Sequence, residues 1–89
     1  MAIRHVSALK RHRQSLKRRA RNQAVRTEMR HEIRKVRQAI VNKDAAAAGS
    51  ELKVAMKVIA KAATKGVVHR NAASRYIARL SRQVATLNA

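Results

Sequence analysis

"VRTEMRHEIRKVRQAI" runs from Val25 to Ile40. Its apolar members are Val25, Met29, Ile33, Val36 and Ile40, which follow one another by steps of four, four, three and four. That period places all five on one face of an α-helix and leaves the charged residues between them on the others. No comparable alternation with a period of two occurs, and β-branched residues are scattered, so the sequence predicts no strand. The chain is expected to be all-α.

The pattern extends downstream into two more helices. Asn42, Lys43 and Asp44 form a polar turn, and Asp44 is placed to cap the helix that follows. That helix is expected over about 45–64, with Leu52, Ala55, Met56, Ile59, Ala62 and Ala63 inward. Gly49 lies within it and costs about 1 kcal/mol relative to Ala, enough to weaken or bend it before Ser50. Gly66 is placed to end it. A third helix is expected over about 70–87, started by His69 or Asn71, with Ala73, Ile77, Leu80, Val84 and Leu87 on one side. Short turns favour antiparallel neighbours. The expected architecture is a single domain, 1–89, built as an antiparallel up-down-up three-helix bundle.

Upstream, the apolar stripe breaks. Followed back by sevens, it falls on Arg18 and Asn22, then on Arg11 and Ser15. The few apolar residues there, Leu9, Leu16 and Ala20, lie on roughly the opposite face. The first helix is therefore expected over about 7–41, but its basic half, 7–22, does not share the core. A helix of about 35 residues is about 52 Å long and its partners of about 20 residues about 30 Å, so the basic half projects by about 20 Å.

This projecting half is densely cationic. From Lys10 to Arg26, eight of seventeen residues are Lys or Arg, and none is acidic: Lys10, Arg11, Arg13, Lys17, Arg18, Arg19, Arg21 and Arg26. Arg30 follows one turn on. Like charges at these spacings repel by a few tenths of a kcal/mol per pair. Charge on most sides of the helix suits insertion between several phosphate backbones, as in a folded RNA. On this reading residues 1 to about 22 are largely disordered in the free protein and become helical when phosphates neutralise them.

The whole chain tells the same story. Its 89 residues hold 22 Lys plus Arg against 4 Asp plus Glu, a formal net charge of +18. Self-repulsion on this scale points to a polyanionic partner. Arg outnumbers Lys fourteen to eight, and its forked donors bridge phosphate oxygens. Tyr76 is the sole aromatic residue. Single-strand readers stack bases on aromatic platforms, so one Tyr argues for recognition of backbone and shape. Arg75, Arg79 and Arg82 form a stripe on the third helix and, with Arg70 and Lys65, a second basic surface.

Other functions find little support. No Cys is present, which removes disulfides and thiolate metal sites. His5 and His12 are seven apart, but the surrounding cations oppose a metal there, and no metal or other cofactor is expected. Glu28 and Glu32 share a helix face on which a carboxylate pair or a magnesium ion is conceivable. Lys35 and Arg21 along that face make a structural charged seam the better reading. No nucleophile with its base is recognisable, so no enzyme and no small-molecule substrate are expected. No apolar run spans a membrane. The Arg-rich start resembles an organellar transit peptide, but the basic character continues to Arg82. A basic-helix DNA-binding dimer would need apolar heptads sustained beyond Ile40, where this chain turns. A cationic membrane-surface helix would need a broad apolar face, and residues 7 to 22 offer two Leu. No homo-oligomer is expected.

"AATKGVVHRNAASRYIARL", Ala62 to Leu80, resembles the signature of the bacterial ribosomal protein S20 family. Lys65, Gly66, Val67, Val68, His69, Arg70, Asn71, Ala73, Ser74 and Arg75 fill that pattern. "SALKR" from Ser7, "SLKRRARN" from Ser15 and "MRHEIRKV" from Met29 are similar to the family's opening. Ala2 to Val6 and Ala72 depart from it. The resemblance implies three helices with a long first one. It also implies direct binding to 16S ribosomal RNA in the 30S subunit, in the cytoplasm, by a protein that helps the RNA fold during assembly. It places RNA contacts at Ser7, Lys10, Arg11, Ser15, Lys17, Arg18, Arg19, Asn22 and Arg26, and at Lys65, Gly66, His69, Arg70, Asn71 and Arg75. Arg13, Arg21, Arg30, Arg79 and Arg82 join them as cations of the same two surfaces.

Overall fold

The computed structural model describes residues 2–88, with side chains from Val6 onward. It contains three helices in chain order, α1 (Ala2–Val41), α2 (Ala45–Thr64) and α3 (Arg70–Asn88), and no strand among the described residues. α2 has the expected bounds, and α3 runs one residue further than expected.

α1 begins earlier than the expected start near Ser7. Nothing in "AIRHV", Ala2 to Val6, stops a helix, since it contains neither Gly nor Pro. Of the stretch expected to be largely disordered, residues 2–22 are helical. Repulsion of a few tenths of a kcal/mol per pair is offset by a run of good helix formers.

Both turns are closed by backbone hydrogen bonds. At the end of α1, the Asp44 N–H donates to the Ala39 carbonyl and the Lys43 N–H to Ile40, both at 3.0 Å. This 6→1 and 5→2 pair places Lys43 in the left-handed region, at φ 55°. The Asp44 carboxylate then accepts from the Ala47 N–H at 3.1 Å and caps α2. At the other end of α2, the Val67 N–H donates to Ala62 and the Gly66 N–H to Ala63, again at 3.0 Å. Gly66 has φ 75°. α2 runs unbroken through Gly49.

α2 is the middle helix and packs on both others, whereas α1 and α3 meet less extensively. The core is Met29, Ile33, Val36 and Ala39 from α1, Ala48, Ala55, Ile59 and Ala62 from α2, and Ala73, Leu80 and Val84 from α3. Val25, Ile40, Leu52, Ala63, Ile77 and Leu87 pack around it, half-buried. Met56, expected inward, is 38% exposed, because it lies about 90° round α2 from the core direction. Five of the eleven core residues are Ala, so the helices approach closely and the molecule is a thin rod of 67 × 21 × 14 Å.

α1 has 40 residues and α2 has 20. They are about 60 Å and about 30 Å long, so the overhang is about 30 Å, longer than expected by the early start. Every residue from Val6 to Arg21 is exposed, and burial begins at Asn22.

Candidate nucleic-acid interface

The overhang presents Ser7, Lys10, Arg11, Arg13, Ser15, Lys17, Arg18, Arg19 and Arg21 to solvent. At 100° per residue, Arg18, Arg19, Arg13 and Lys17 stand at four different bearings around the axis. The gap between them is the outer strip of Leu9 and Leu16, 46% and 51% exposed. Asn22, also expected to contact RNA, is half-buried where the overhang meets the bundle.

These cations are almost unneutralised from within. Among the described residues one ion pair forms, Lys35 Nζ to Glu32 Oε1 at 3.5 Å. Of the expected charged seam, that link is what exists. Glu28 is exposed while Glu32 is 8% exposed, so the two carboxylates do not share an environment. Glu32 Oε2 is buried without a hydrogen-bond partner. No group of three or more His, Cys, Asp or Glu able to hold a metal occurs among the described residues. The His5 side chain of the His5–His12 pair lies outside those described.

The turn from Lys65 to His69 is built by helix-end chemistry. Gly66 supplies the left-handed residue that ends α2, and a Cβ built there would meet no atom within 4 Å. His69 Nδ1 accepts from the Asn71 N–H at 3.1 Å and caps α3. That bond uses the acceptor nitrogen of the ring and leaves Nε2 as the donor. Lys65, Gly66, His69, Arg70 and Asn71 are all exposed. Replacing Gly66 by Ala is expected to lower stability by about 1–2 kcal/mol, from backbone strain alone because the space is open. Thermal unfolding followed by circular dichroism reads this as a fall of roughly 5 to 15 °C in Tm. An unchanged Tm would show that the turn tolerates a side chain.

The fold brings the base of the first basic surface, Arg26 and Arg30, close to the second. A groove of about 590 Å³ between α1 and α3 is lined by Arg26, Arg30, Arg34 and Arg37, with Met29, Ile33, Val68, Ala72 and Tyr76 among its other walls. A smaller depression of about 130 Å³ is lined by Ala72, Arg75, Tyr76 and Arg79. Tyr76 thus stands between arginines of α1 and arginines of α3. Arg82 is exposed one turn beyond Arg79.

Sequence reasoning missed Arg34 and Arg37. The signal was present, since both continue Arg26 and Arg30 at helical spacing, turned about a quarter-circle from the core stripe. It also missed Lys53, Lys57 and Lys61, all exposed and stepping by four along the outer face of α2. No helix among the described residues is long and apolar enough to cross a membrane.

The family model of ribosomal protein S20 matches residues 4–85, which take in the overhang from Arg4 onward, the turn and the groove. The chain belongs to the ribosomal protein S20 family. A small ribosomal subunit protein bS20 of Solidesulfovibrio magneticus is 54% identical over 80 residues, 90% of each chain. That of Geobacter metallireducens is 49% identical over 83 residues, covering 93% of this chain and 95% of its own. That of Anaeromyxobacter dehalogenans is 54% identical over 80 residues, 90% of this chain and 87% of its own. The S20 family is one of ribosomal proteins, not of enzymes, in keeping with the absence of any recognisable catalytic constellation in the sequence.

Proposed function

We infer that this chain is a structural constituent of the small ribosomal subunit that binds 16S ribosomal RNA directly and helps it fold during assembly. The observation that carries this is the overhang. Sixteen consecutive residues, Val6 to Arg21, are exposed and pack on nothing of their own chain. A helix this charged and this unsupported is suited to an environment of phosphates on several sides, as folded RNA provides and a flat surface does not.

The roles follow from side-chain chemistry. Arg and Lys of the overhang and of α3 hold phosphates, while Ser7, Ser15, Asn22 and Asn71 hydrogen-bond backbone or ribose. His69 offers Nε2–H, and Gly66 lets RNA approach the backbone. With a net charge of +18, a second copy is repelled, so the protein acts as a monomer on its RNA.

Footprinting the purified protein on naked 16S ribosomal RNA, across a salt series and with an unrelated structured RNA as competitor, tests this. Discrete protection that survives the competitor is expected. Diffuse protection that disappears at moderate salt would reduce the interaction to charge alone.

A further inference from the structure

The cationic rim and apolar floor of the groove between α1 and α3 call for a particular ligand. Arg26, Arg30, Arg34 and Arg37 line one side and no carboxylate lines any side. A phosphate backbone alone would have no use for the apolar floor that Met29 and Ile33 contribute. A lipid surface or a protein helix would need far more apolar area than a groove of about 590 Å³ offers. That volume lies within the range of about 300–1,000 Å³ that holds one compact ligand. An RNA duplex is too wide for it and hides its bases. A nucleotide bulged out of a duplex offers one flat apolar face between two phosphates.

We propose that this groove holds a single unpaired nucleotide of RNA, with its base against Tyr76 and its flanking phosphates on the arginines of α1 and α3. Tyr76 is half-buried and so fixed in place. It lines both the groove and the adjoining depression that holds Arg75 and Arg79. A base stacked there has guanidinium groups within reach on either side. Stacking on an aromatic ring tolerates any base, because each has a π-face, so the site selects an extruded nucleotide more than its identity. This inference rests on the RNA-binding reading above and adds a base contact to a protein otherwise suited to backbone and shape.

The test compares the unaltered protein with Tyr76→Phe, Tyr76→Leu and the pair Arg34→Gln with Arg37→Gln, all on 16S ribosomal RNA. Affinity is measured, together with base-specific and backbone probing. Tyr76→Phe keeps the ring and is expected to bind as the unaltered protein does. Tyr76→Leu fills the half-buried position without a π-face. It is expected to lose about tenfold in affinity and to expose one base to modification while the backbone footprint persists. The arginine pair lies on the exposed rim, away from the core, and is expected to weaken protection of that same nucleotide. If the unaltered protein gives a discrete footprint but neither Tyr76→Leu nor the arginine pair changes any base, the groove proposal is overturned and the RNA-binding reading stands. Equal losses in Tyr76→Phe and Tyr76→Leu would assign the effect to the hydroxyl and overturn stacking. If the unaltered protein gives no discrete footprint, both readings fall together.

Discussion

Changing Arg11, Lys17, Arg18 and Arg19 together to Gln is expected to lower affinity for 16S ribosomal RNA by about 10²- to 10³-fold near physiological salt. All four are exposed on the overhang; Arg11 and Arg18 share one bearing, and Lys17 and Arg19 stand at about a quarter-circle to either side. Gln is nearly as good a helix former as Arg or Lys, so the helix persists and the change is one of charge. Each lost phosphate contact removes about one released counterion, so the slope of log affinity against log salt flattens by about four. Filter binding at several salt concentrations measures both quantities. A loss of only a few-fold with an unchanged slope would mean that the overhang lies in solvent, and that binding resides in the bundle.

The second large effect concerns the core. Ile59 is fully buried in the middle helix and touches a core that is nearly half Ala. Ile59→Ala removes the largest side chain that α2 contributes to that core, at a cost of about 2–5 kcal/mol. A small domain has of the order of 5 kcal/mol in all. The free protein is therefore expected to lose its cooperative thermal transition, with the helical signal falling broadly from low temperature. Excess RNA restores the transition by mass action. Met56→Ala, three residues away and 38% exposed, is expected to change stability by less than about 0.5 kcal/mol. If the two variants melt alike, the assignment of the core face of α2 is wrong.

This pair also shows what could be read in advance. Ile59 and Met56 are both apolar and three apart, which is compatible with one helix face. Only the position of the neighbouring helices decides that one is covered and the other left out. Where local chemistry decides, the sequence was sufficient. Asp44 and Gly66 mark the two ends of α2, one by its acceptor side chain and the other by its freedom at positive φ. Where no local signal exists, it was not. Lys43 adopts φ 55°, a conformation that its side chain does nothing to announce. α1 was expected from about Ser7, yet Ala2 to Val6 contain neither Gly nor Pro to stop a helix.

The site divides in the same way. The cations of the overhang were legible because they interrupt an apolar stripe. Arg34 and Arg37 belong to the half of α1 that carries the core, where charge reads as an ordinary solvent-facing side. Their relation to Tyr76 depends on how α3 lies against α1, which no local pattern encodes. The sequence showed two basic surfaces at opposite ends of the chain. The fold brings Arg26 and Arg30 of the first and Arg75 and Arg79 of the second to either side of one tyrosine.

The overhang is, in mechanical terms, a cantilever. It extends about 30 Å beyond its last support, with its root at Asn22 and Val25. Between Ala2 and Val41 there is neither Gly nor Pro, so no hinge is built into it. A tilt of about 10° at the root therefore carries the tip about 5 Å, far enough to move a guanidinium from one phosphate to the next. The packing of two half-buried side chains thus sets the aim of the whole beam. Conversely, a polyanion that grips the tip exerts its leverage on the seat of α1 against α2.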